Sequence, residues 1–414
     1  MAPAKKRRRT SSTQQAQRPS SPSSPEHNEH TLFTSWAESR GVQINSVAPT
    51  RIPGRGVGLL TTTSIKKDTQ IIFVPEKAMF KPLSISTKPK FSQQTVNPSP
   101  QAQLAISIMS ACQDRSSPYY VWQSTWPTRE DFESSMPLLW SKRLASHLPP
   151  SVQQPLERMR EDYQRDLTSM LHRHPDWKER EFEYYWAIVN SRSFHFKPPG
   201  AKPGSMVLCP FIDYMNHGPS GTGVIVRQTP KGYEVVADRD YEPNTEILVT
   251  YGAHPNDKLL VHYGFVNSSE PGSPSDDDVR LDHILDSHLS PNTKSQLQDV
   301  GYSGSYTLFP ASSHRVQPEI CFRTQVAVRA ELLTANEWEY FMLNGEDMTS
   351  DQSVKIKLWL RPLLEGYRDD ASGKLVELSK LKPEEGSAEA GAVFWLKTRW
   401  DQIEHALDAF LSLR

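Results

Sequence analysis

Cysteine is scarce in this chain. Three stand in 414 residues, at Cys112, Cys209 and Cys321. They lie too far apart for a disulfide framework or a Cys-clustered zinc module, and their scarcity fits a reducing compartment. Long apolar runs are missing too. None reaches the ~18 residues of a membrane-spanning helix, and Met1 is followed by charge and then Ser, Pro and Gln rather than by the apolar core of a secretory signal. Neither sign of charge is in excess: 47 Lys and Arg face 48 Asp and Glu, a formal net charge of −1. Global charge therefore gives no reason to expect a nucleic-acid partner. No cluster has metal-ligand spacing, and no metal is expected; His172 and His174 read as surface residues, since paired helical ligands are usually spaced by four.

What is present is long enough for two or three domains. Residues 1–30 have almost nothing apolar to bury and are expected to be a disordered tail. Within it, Lys5 to Arg9 is an unbroken basic cluster. It reads equally as a nuclear import signal, which would place the protein in the nucleus as well as the cytoplasm, or as a solvated tail. His27 and His30 lie in the same polar stretch and are not taken as ligands.

The richest segment runs from Cys209 to Phe265. Met206 to Ile212 reads as a buried strand. Asp213, Asn216, His217 and Gly218 then favour a turn, and on their own they fit a structural turn with a satisfied histidine. Val224 to Arg227 and Tyr233 to Ala237 flank Thr229-Pro230-Lys231-Gly232 as a hairpin. Ile247 to Thr250 is a further strand. Tyr251-Gly252, Tyr263-Gly264 and Phe265 close the segment.

Upstream, Arg51 to Pro75 carries Gly54, Gly56 and Gly58 ahead of two strand-like runs joined by Lys66-Lys67-Asp68. No helix follows, so this is not a dinucleotide fingerprint; a plain hairpin is the simple reading. Residues 76–98 look loop-like. Ser151 is placed to cap a helix in which Val152, Leu156, Met159, Tyr163, Leu167 and Met170 share one face. A second helix holds Phe182, Tyr185, Trp186 and Val189, and ends near Arg192. Beyond Phe265, Asp276 to Asp278 reads as solvated. A helix over Val354 to Leu364 is interrupted at Pro362, and Val393, Leu396, Trp400, Ile403, Leu407 and Phe410 mark a last helix.

Taken in order, these pieces resemble a known family. Gly54 to Leu59 reads G-R-G-V-G-L, Ser191 to Phe194 reads S-R-S-F, Asn216-His217 is followed by Thr250-Tyr251-Gly252, and Asn256 to Phe265 reads N-D-K-L-L-V-H-Y-G-F. The set is similar to SET-domain protein methyltransferases of the branch that holds the Rubisco large-subunit and fungal ribosomal-protein lysine methyltransferases. The resemblance implies an α+β fold: a β-rich SET core over 31–268, split by a helical insert at about 90–189, then an all-α docking-like domain over 275–414. It implies S-adenosyl-L-methionine as cofactor, with Arg55, Gly56, Val57, Arg192, Asp213, Asn216, His217, Tyr251, Tyr263, Gly264 and Phe265 around it. Tyr251 would be the catalytic tyrosine, and Tyr263 and Phe265 would wall the substrate channel. The implied substrate is a lysine-bearing non-histone protein, met by a monomer. A histidine- or histone-directed enzyme, and a silent SET-like scaffold that binds a partner protein, stand as alternatives.

Overall fold

The computed structural model describes residues 25–82, 98–112, 116–197, 205–268 and 272–413. The basic cluster at Lys5 to Arg9 and most of the 76–98 loop lie outside them. The fold is mixed α+β with a helical C-terminal region.

Two four-stranded sheets form the β core. One orders Gln43–Ile44, Gln70–Pro75, Gly232–Val236 and Ile225–Thr229; the other orders Val47–Ile52, Gly56–Thr61, Glu246–Val249 and Asn216–His217. The hairpin expected across Thr229 to Gly232 forms, with Gln228 facing Tyr233. The hairpin expected between the two runs after the glycines does not: Gly56–Thr61 and Gln70–Pro75 lie in different sheets. Both edges of Gly56–Thr61 are already paired. Val47–Ile52 folds back on one side through a tight turn, Ile52 facing Gly56, and Glu246–Val249 takes the other, Leu59 facing Ile247.

The strand expected over 206–212 is shorter, Ser205–Leu208. Pro210 has no N–H to give a ladder, Phe211 turns at φ 73°, and Ile212–Tyr214 is a single 3-10 turn. Asn216 and His217, read as turn residues, instead form a short strand, with Leu248 facing Asn216 and Val249 facing His217 in parallel.

The first helix, Pro25–Ser39, begins inside the stretch read as a disordered tail. Phe33 anchors it, fully buried among Trp36, Trp122, Phe211 and Tyr214, with ring centroids 5.6–6.4 Å away. In the insert, Pro150–Arg173 buries the expected stripe, but Ser151 is not its cap. Pro150 is pre-set for the first helical position, so the cap falls on Pro149 and Ser151 lies within the first turn.

The C-terminal region also holds a small three-stranded sheet, Val279–Arg280, Thr307–Phe309 and Glu319–Ile320. Gln352–Lys380 runs straight through Pro362. That residue sits on the exposed face, where water can satisfy the carbonyl a proline leaves without a partner. Ala388–Leu411 packs against it and buries Val393, Leu396, Trp400, Ile403, Leu407 and Phe410 as expected. No helix among the described residues is long and apolar enough to cross a membrane.

Candidate active site

A cleft of about 990 Å³ runs between the second sheet, the insert and the last helix. Every site residue named from the sequence lines it.

One end is aromatic. Tyr251 follows the Glu246–Val249 strand, and Gly252 at φ 135° swings the chain away. Helix Asn256–Tyr263 then brings the chain back and stops at Gly264, whose φ of 77° is the left-handed cap that glycine tolerates. This stop sets Tyr263 and Phe265 on either side of the cap. Ring centroids stand 5.0 Å apart for Tyr251–Tyr263, 6.3 Å for Tyr263–Phe265 and 6.4 Å for Tyr251–Phe265, with His217 5.1 Å from Tyr251. The Tyr251 hydroxyl donates to the Met215 carbonyl at 2.8 Å, and burial pushes its pKa up to about 12. It stays a neutral hydroxyl at any ordinary pH, with its oxygen lone pairs available to accept.

His217 is 2% exposed. Its Nδ1 accepts the Tyr251 backbone N–H at 3.1 Å, and burial lowers its pKa to about 4. The ring is therefore neutral with its proton on Nε2, and that nitrogen is buried without a hydrogen-bond partner among the described residues.

The other end is polar. Arg55 donates to the His217 carbonyl at 2.9 Å and lies 3.4 Å from Glu246. The same carboxylate accepts from the Asn216 amide at 2.9 Å. Glu246, missed in the sequence, thus locks the glycine loop to the Asn216-His217 strand. Gly58 makes room for this: a Cβ there would stand 2.7 Å from Asn216 Nδ2 and 2.6 Å from Ile52 Cδ1. Arg192, in the last turn of Glu179–Arg192, donates to the Asp213 carbonyl at 2.8 Å and lies 3.6 Å from its carboxylate. Burial raises the Asp213 pKa, against the pull of the Arg192 charge. Arg192 Nε has no partner among the described residues. His30, set aside as part of a tail, also lines the cleft and shares a 2.8 Å hydrogen bond with the Tyr214 hydroxyl. Its place three residues before Phe33, one helical turn, was the available signal.

Behind the aromatic wall, the acidic run read as solvated is drawn into the fold, with Asp277 buried and Asp276 and Asp278 half-buried. Arg399, on the last helix and 0% exposed, donates to Asp257 at 2.6 Å, Asp277 at 2.7 Å and the Asp278 carbonyl at 2.9 Å. Asp277 also accepts from the Asn256 N–H at 2.9 Å, and Asp276 accepts from the Ser220 N–H at 2.7 Å. Burial, with Asp277 and Asp257 nearby, raises the Asp278 pKa to about 7.

Arg192 Nε at the polar end and His217 Nε2 beside Tyr251 are without partners among the described residues, and a Cβ built at Gly54 or Gly56 meets nothing within 4 Å, so the loop backbone is open to a ligand. A charged, hydrogen-bonding group such as S-adenosylmethionine fits this donor and acceptor set. No group of three or more His, Cys, Asp or Glu among the described residues could hold a metal ion.

Comparison with known proteins agrees with this geometry. Residues 56–252 match the SET domain family. The chain is 26% identical over 350 residues to ribosomal lysine N-methyltransferase set11 of Schizosaccharomyces pombe, covering 81% of this chain and 82% of that protein. It is 25% identical over 259 residues to human SET domain-containing protein 4, spanning 57% of this chain and 58% of that protein. Among solved structures it is similar to the SET domain of LSMT bound to lysine and AdoHcy, with a TM-score of 0.55 and 14% identity, over 93% of this chain and 92% of that one.

Proposed function

We propose, from the match of residues 56–252 to the SET domain family, that the protein is an S-adenosylmethionine-dependent methyltransferase acting on lysine side chains of a non-histone protein. The observation that carries this reading is the junction of two environments in one cleft. An aromatic channel of Tyr251, Tyr263 and Phe265 opens onto a polar pocket of Arg55, Arg192, Asp213 and Asn216.

Bound S-adenosylmethionine supplies a methyl group on a sulfonium centre. Arg55, the loop backbone at Gly56 and Val57, Arg192, Asp213, Asn216 and His217 would hold it. The remaining task is to present a neutral amine. A free lysine has a pKa of about 10.4, so losing its proton at pH 7 costs roughly 4.6 kcal/mol. Tyr263 and Phe265 exclude water, and an amine in such a channel loses its proton more readily. Tyr251 adds a neutral, fixed hydroxyl. Because its hydrogen is donated to Met215, its lone pairs can accept an amine N–H and align the nitrogen; holding the reacting atoms aligned at ~3–3.5 Å is where much of the acceleration arises.

Calorimetry with S-adenosylmethionine tests the reading, beside a double variant Asn216→Ala, His217→Ala. Micromolar binding by the wild type that the variant loses supports it, with methyl transfer from labelled cofactor to a protein extract as the activity readout. A folded wild type that neither binds nor transfers would sink it and favour a silent scaffold. We carry nuclear import through Lys5 to Arg9 as a separate part of the proposal. A fluorescent fusion lacking residues 5–9 should stay cytoplasmic; unchanged nuclear signal would reject it.

A further inference from the structure

Glu246 opens the strand Glu246–Val249, which lies between Gly56–Thr61 and Asn216–His217. Pairing decides what its side chain can meet. Glu246 faces Leu60 across the antiparallel edge, and Leu248 faces Asn216 across the parallel one. Paired residues share a face of a sheet, as do residues two apart along one strand. Gly58, Leu60, Glu246, Leu248 and Asn216 therefore share one face. Leu248, Asn216 and the loop residue Arg55 line the cleft, whereas Glu246, with its side chain 16% exposed, stands behind them.

The two oxygens of this carboxylate have separate tasks. Oε1 accepts from Asn216 Nδ2 at 2.9 Å, and Oε2 lies 3.4 Å from Arg55 Nη1. The other terminal nitrogen of Arg55 donates to the His217 carbonyl at 2.9 Å. Gly58 leaves the gap in which these groups meet, since a Cβ there would stand 3.0 Å from Glu246 Oε1. A carboxylate can only accept, so it takes the Asn216 NH2 and leaves the amide oxygen to accept from a group in the cleft. Its charge also draws the Arg55 guanidinium, 42% exposed and with water as a competing partner, to the edge of the cleft.

We propose that Glu246 is a positioning residue for the cofactor, acting from outside the cleft by presenting Arg55 and the Asn216 amide oxygen to the ligand in fixed orientation. The proposal rests on the methyltransferase reading and assigns part of its cofactor affinity to preorganisation. The Tyr251 hydroxyl is held by the Met215 carbonyl and not by this group, so the transfer step at saturating cofactor lies outside its reach.

The test uses the full chain, calorimetry with S-adenosylmethionine, and methyl transfer from labelled cofactor to a protein extract. Glu246→Gln offers one acceptor and one donor to two donors, so either Arg55 or Asn216 loses its hold. The dissociation constant and KM for S-adenosylmethionine should rise roughly tenfold while kcat stays near the wild-type value. In an Arg55→Ala background the same substitution should cost only about threefold, because one of the two groups it positions is gone. Glu246→Asp keeps the charge and should recover part of the lost affinity. A folded Glu246→Gln with the wild-type dissociation constant, a loss carried by kcat with KM unchanged, or a tenfold loss that persists beside Arg55→Ala overturns the positioning role alone. If Glu246→Gln does not fold, Glu246→Asp carries the test: its shorter reach should raise the dissociation constant about threefold, and no rise overturns the role. A wild type that binds cofactor without transferring methyl sinks the activity reading and leaves the positioning role to be decided by calorimetry. A wild type that does not bind the cofactor overturns both.

Discussion

Arg192 and Arg399 each face aspartate inside the fold, but their hydrogen bonding differs. Every nitrogen of Arg399 is engaged, by Asp257, Asp277 and the Asp278 carbonyl, and the side chain is wholly buried. Arg192 spends one nitrogen on the Asp213 carbonyl, keeps Nε without a partner among the described residues, and remains 22% exposed beside the cleft. A buried guanidinium with every donor used fixes elements against each other, although Asp257 Oδ2 and Asp278 Oδ1 around it are buried without a hydrogen-bond partner among the described residues. One with donors to spare next to a cavity is suited to holding something else. Leaving a buried donor unmade costs about 1–3 kcal/mol, and a ligand that accepts from Arg192 Nε would recover it.

The contrast can be broken hardest at Arg399. Arg399→Ala strands Asp257 and Asp277 and should lower stability by about 3–5 kcal/mol, the range for breaking one partner out of a buried pair; urea unfolding checks it, and a loss under 1 kcal/mol would refute the clamp. Tyr251→Phe should leave folding and cofactor affinity near wild type yet cut the single-turnover rate by about 100-fold or more. Arg192→Lys keeps the charge but loses the planar fork, and should weaken cofactor binding roughly tenfold with little change in thermal midpoint. In Gly58→Ala the new methyl meets Asn216 Nδ2 and Ile52 Cδ1, so a smaller loss of cofactor affinity, about fivefold, is expected by calorimetry.

A separate test lies in pH dependence, where the two regions should pull in opposite directions. The folded pKa of His217, about 4, is below its ordinary 6.5. Its contribution is fully present above pH 6.5 and is lost as pH falls toward 4. Asp278 is raised from 3.8 to about 7, so its contribution is present below pH 3.8 and is lost as pH rises through 7. His217→Asn should flatten the acid limb of a stability–pH curve and Asp278→Asn the limb toward neutrality. Unaltered slopes in both variants would argue against these environments.

The sequence was most legible where chemistry is written into local order. The residues from Arg55 to Phe265 that matched the motifs converge on one cleft, because each sits at a strand end or helix cap that local rules can place. It was least legible where a partner is remote. Asp276 to Asp278 looked solvated because they stand in a polar loop; the cation that pairs with Asp277 lies 122 residues on. Gly56–Thr61 and Gln70–Pro75 looked like a hairpin because adjacency suggests pairing, whereas the second sheet recruits Glu246–Val249 from far along the chain. Ser151 and Pro362 show single-residue rules yielding to context: a proline better suited to the first helical position, and a proline on a face that water reaches.

The Asp257–Arg399 contact joins residues 142 positions apart, and this gives the fold a clock. At the roughly 5–20 residues per second of synthesis, Asp257 leaves the ribosome about 7–30 s before its counter-ion. Until then the helix Asn256–Tyr263 cannot dock with its carboxylate compensated, and Tyr263 and Phe265 lack the support that sets their spacing. The aromatic channel is thus among the last parts of the molecule to be finished, and a nascent chain holds the residues for chemistry well before it holds the cage in which to perform it.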